Sequence, residues 1–61
     1  MTTNFEDVLQ AISAWGLEGS IKATKRKSRA VLEVNGIETA YPCWLAVQKI
    51  GLIGAERGKL D

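Results

Sequence analysis

The spacing of apolar residues changes period twice along the chain. Over "TTNFEDVLQAISAWG" they fall at Phe5, Val8, Leu9, Ile12 and Trp15, the i, i+3, i+4, i+7, i+10 spacing of one helix face. Boundary signals agree with a helix. Thr3 and Glu6 have capping-box spacing, Asp7 complements the positive end of the helix dipole, and Gly16 suits the left-handed residue past the last turn.

From Ser20 the period falls to two. "VNGI" predicts a two-residue type I′ hairpin, because Asn35 and Gly36 both tolerate positive φ. Outward from that turn, Val34 faces Ile37, Leu32 faces Thr39 and Ala30 faces Tyr41 on one side. Arg29, Val31, Glu33, Glu38 and Ala40 lie on the other. An earlier strand, "SIKAT", joins through a four-residue loop Lys25–Ser28. That loop sets Thr24 against Arg29, Ala23 against Ala30 and Ile21 against Leu32.

After Pro42, suited to the start of a helix, the period returns to 3.6, with a stripe of Cys43, Ala46, Val47, Ile50 and Ile53. Gly51, Gly54 and Gly58 leave its end open, and residues 58–61 are expected to fray. The expectation is one α+β domain over residues 1–61, ordered α-β-β-β-α. It has a three-stranded antiparallel meander with both helices on one face.

Composition narrows the chemistry. A chain of 61 residues with 46% hydrophobic and 25% charged residues is globular, but too short for a large core. One cysteine and no histidine argue against an internal disulfide and a conventional zinc or haem site, so no cofactor or metal is expected. No apolar run of about 18 residues and no signal-peptide pattern occur, and a reduced, cytoplasmic setting without a membrane partner fits best.

Candidate catalytic groups each have a simpler reading. Cys43 sits near a helix start, where a thiol can be activated, yet it lies on the apolar stripe without a histidine and reads as a buried structural cysteine. Glu33 opposite Glu38 reads as a like-charge pair on a solvated face relieved by Lys22 or Arg29. "GLIGAERGK" meets neither phosphate-loop spacing, and too little chain follows Gly51 for a recognition helix. The expectation is that the protein is not an enzyme.

The element order resembles that of the double-stranded-RNA-binding domain, and "LEVNGIE" resembles the middle hairpin of that family. That likeness implies the order of elements. It does not extend to the family's lysine-rich start of the second helix, where this chain has Pro42-Cys43-Trp44-Leu45, nor to its longer first hairpin loop.

Two features of the chain point outward to a partner. Lys22, Lys25, Arg26, Lys27 and Arg29 place five of eight basic residues in one short segment, leaving three basic and seven acidic residues elsewhere. Net charge is only +1, so the molecule is electrically bipolar. Trp44, Leu45 and Leu52 lie off the core stripe of the second helix and suit a partner contact or a homodimer.

Such a chain looks like the small accessory proteins of phages and mobile elements, which often inhibit a host or defence complex. A non-enzymatic modulator occupying the surface of a protein complex is the first expectation. Its basic hairpin would meet an acidic surface, or its acidic remainder would mimic phosphate. Direct nucleic-acid binding is the second, set lower because no aromatic residue interleaves the basic run.

Overall fold

A computed structural model describes residues 3–60. Its elements are α1 (Phe5–Ala14), β1 (Ile21–Arg26), β2 (Arg29–Val34), β3 (Ile37–Pro42) and α2 (Cys43–Leu60). The strands form an antiparallel sheet in the order β1-β2-β3. Helix α1 packs on β1 and β2, α2 on β2 and β3, and the two helices on each other. The expected α-β-β-β-α domain is therefore the observed one.

Helix α1 begins one residue later than Thr3 and Glu6 imply. Asn4 is the N-cap, its side-chain oxygen accepting from the Asp7 amide at 3.1 Å, while Asp7 Oδ2 accepts from the Asn4 amide at 3.0 Å. The same reciprocal capping is thus made one step along the chain, where asparagine caps at least as well as threonine. The far end closes as a Schellman motif. Gly16, at φ 68°, donates to the Ser13 carbonyl and Leu17 donates to that of Ile12. Its hydrophobic contact is made by Ile12 and Leu17, both buried.

The second hairpin has the expected register, with Val34 against Ile37 and Ala30 against Tyr41. Asn35 and Gly36 have φ of 54° and 80°. The first hairpin differs. Its loop is Lys27-Ser28 alone, and Thr24 pairs with Val31 instead of Arg29, Ala23 with Leu32, and Ile21 with Val34. Lys25 and Arg26 extend the strand because two more ladder pairs outweigh leaving four residues in an unpaired loop. A slip of two residues preserves parity, so every side chain keeps its expected face.

The core consists of Val8, Ile12, Leu17, Ile21, Ala30, Leu32, Ala46 and Ile50. Around it α2 runs unbroken through Gly51, Gly54 and Gly58, with bounds reaching Leu60. Asp61, last of the residues expected to fray, lies outside the described residues. Gly54 explains how the helices meet. A Cβ there would lie 2.5 Å from Trp15 Cδ2 and Cε3, whereas one at Gly51 would meet only Trp15 Nε1 at 3.9 Å. The indole rests on bare helix backbone. At the end of α2, Arg57 Nη1 donates to Ser20 Oγ at 2.7 Å, tying the helix to the residue before β1.

Two substitutions in one helix should therefore have opposite effects. Gly51→Ala is expected to gain about 1 kcal/mol from helix propensity. Gly54→Ala should lose about 1–3 kcal/mol by displacing Trp15. Thermal unfolding checks both, and equal shifts would contradict the packing described. Asn4→Ala should cost about 1 kcal/mol through loss of the cap, read as a lower urea midpoint.

Candidate polyanion-binding end

The Lys27-Ser28 turn projects from one end of the sheet. Lys27 has φ 56° and is the only one of the two loop residues with positive φ, the pattern of a type II′ turn, whose first central position favours glycine. A lysine there is strained by about 1–3 kcal/mol. Beside it, Arg26 and Arg29 are direct cross-strand partners, an unfavourable like-charge pair. Lys25 lies on the helix side of the sheet, opposite Ala30. Four cations thus surround a tip whose own geometry is unfavourable.

Chain direction brings both helix starts to this same end. A cleft of about 400 Å³ is lined by Asn4 and Phe5 from the start of α1, Cys43 from the start of α2, and Lys25, Lys27 and Arg29 from the hairpin. The first turn of α1 carries Glu6 and Asp7, but that of α2 carries no acidic residue. Its unpaired N–H groups and positive dipole end add to the lysines and arginines. Phe5 gives the cleft an aromatic wall from a distant part of the sequence.

Cys43 is half-buried instead of fully buried, and its thiol lies 3.9 Å from the Ser28 carbonyl oxygen, beside the turn. Lys22 belongs elsewhere. It pairs across the strands with Glu33 on the open face, about 13 Å along β1 from Arg26. Glu33 also faces Glu38, so the acidic pair has a neighbouring cation, as the sequence implies. Among the described residues, no group of three or more potential ligands is placed to hold a metal.

The apolar candidates divide. Trp44 is 56% and Leu52 61% exposed, while Leu45 is half-buried. Trp44 stands in the first turn of α2, at the basic end; Leu45 and Leu52 share a flank two turns apart. Ile37, not singled out from the sequence, is the most exposed large apolar residue among those described, at 68%. Its alternation placed it on the covered face, but α2 leaves that stretch of β3 bare.

No family model, curated protein or solved structure matches the chain. No helix among the described residues is long and apolar enough to cross a membrane.

Because Lys27 occupies a glycine-favouring position, Lys27→Gly should raise the unfolding free energy by about 1 kcal/mol. For a chain of this length that is a rise of about 4–8 °C in melting temperature. An unchanged or lower melting temperature would mean that the turn holds Lys27 without strain.

Proposed function

We propose that the protein is a non-enzymatic binding module whose basic end grips the phosphate backbone of a nucleic acid, without reading its sequence. The observation that carries this reading is the cleft in which Lys25, Lys27 and Arg29 meet the acid-free start of α2. Phosphates there would pair with side-chain cations and with helix N–H groups. They would also relieve the Arg26–Arg29 repulsion. The absence of aromatic residues within the basic run weighs less once Phe5 lines the cleft and Trp44 stands exposed at the same end.

A modulator that occupies an acidic surface of a protein complex, in the manner of phage accessory proteins, is the second reading. The exposed Trp44 favours it, since tryptophan often anchors protein interfaces.

Titrations with duplex and single-stranded DNA and RNA across salt concentrations separate the two. If the four tip cations each meet a phosphate, the slope of log affinity against log salt should be about −3 to −4 on duplex DNA. Lys25→Ala/Arg26→Ala/Lys27→Ala should weaken binding to every sequence alike and flatten the slope by about 3. Lys22→Ala should leave binding nearly unchanged. Absence of binding at about 50 mM salt sinks the nucleic-acid reading, and binding indifferent to the triple substitution relocates the site.

A further inference from the structure

The side of the sheet away from α1 is bare. Strand β3 is an edge, and Ile37, Glu38, Thr39 and Ala40 are all exposed. In a two-residue hairpin the pair flanking the turn, here Val34 and Ile37, is hydrogen-bonded, and bonded pairs then alternate. Glu38 and Ala40 therefore direct their N–H and C=O groups outward. Between Ile37 and Tyr41 the edge carries no lysine, no proline and no bulge, and Glu38 is its one charged side chain. Alongside it, a groove of about 320 Å³ has Ile37, Thr39 and Tyr41 on the strand side and Lys49 and Ile53 on the α2 side.

We propose that a second copy of this chain covers this edge, the two β3 strands pairing antiparallel about a two-fold axis through Thr39. Centring on a residue keeps the two helix-covered faces on the same side of one six-stranded sheet. In that register Glu38 and Ala40 of one copy exchange hydrogen bonds with Ala40 and Glu38 of the other. No carboxylate then faces another across the new seam, and exposed Ile37 packs against Tyr41 of the second copy.

The helices fit the same axis. Helix α2 packs over β2 and β3, so its axis lies about half a strand spacing inside β3, and the two-fold about half a spacing outside. The two α2 axes are then about 10 Å apart, a normal helix-packing distance. Their antiparallel crossing, centred between Leu52 and Ile53, sets Lys49 opposite Glu56 of the second copy, twice over. That centre lies about 14 Å along α2 from Cys43, and Thr39, four residues before Cys43, about 13 Å from it along the strand direction. Because α2 runs directly back from the end of β3, one axis serves both seams. Charge complementarity and the free edge thus select a second copy over an unrelated occupant.

Sedimentation equilibrium of the full chain over micromolar to millimolar concentrations tests this. Its expected outcome is reversible growth from 6.6 kDa to twice that mass. Ala40→Pro removes an outward N–H that the sheet does not use, so the monomer should keep its circular dichroism. Its dimer dissociation constant should rise at least about tenfold. Lys49→Glu should also weaken the dimer, and Lys49→Glu/Glu56→Lys should restore it. Should Ala40→Pro fail to fold, the charge swap decides alone. A monomer at every concentration, or a dimer indifferent to the charge changes, overturns the proposal.

Discussion

Both helices converge on the inward face of β2, where Ala30 and Leu32 lose almost all contact with solvent. That convergence is the constraint on which the rest depends. A three-stranded sheet is barely wide enough for two helices, and the central strand must serve both. The small Ala30 and Ala46 let the layers close up, and Gly54 lets α2 accept the Trp15 ring against its backbone. A core of this size rarely supplies more than roughly 3–5 kcal/mol of net stability, so a contact that would be one among many in a larger domain matters here to the whole fold.

Legibility followed the strength of local signals. The Asn35-Gly36 turn, the strand faces and the α2 stripe were readable because each rests on φ preference or periodicity. The first hairpin was not, since Lys25 and Arg26 carry no apolar mark by which a strand end is recognised. Parity protected the face assignments even as every cross-strand partner changed. The cap moved from Thr3 to Asn4 because two overlapping residue pairs offered nearly equal chemistry. Burial of Leu17 and the role of Gly54 depend on contacts with Ile12 across a helix end and with Trp15 on another element, which spacing alone does not encode.

The candidate site was half legible. Its cations are written in the sequence as a run, but the run is not the site. Folding sends Lys22 to the company of Glu33 and brings Phe5 and Cys43 to the others. The tip combines a lysine in a glycine-favouring conformation with two arginines directly opposed. Local stability and charge density pull against each other there, as they commonly do where a surface is shaped for a ligand. Ile37 keeps its expected face yet is left bare, because α2 stops short of covering the full width of β3.

Helices α1 and α2 begin at the same end of the molecule, and the positive dipole end of α2, which has no acidic residue in its first turn, reinforces the charge of the hairpin tip. A single copy is therefore a one-ended ligand that would turn its basic pole toward a polyanion as it approaches. Pairing through β3 changes the valency. The two-fold points the poles of the two copies in opposite directions, with their tips about 30 Å apart by strand spacing and rise. Such an object can bridge two backbone segments, or hold one at two separated places, and its grip would then be governed by avidity as well as by the affinity of either tip.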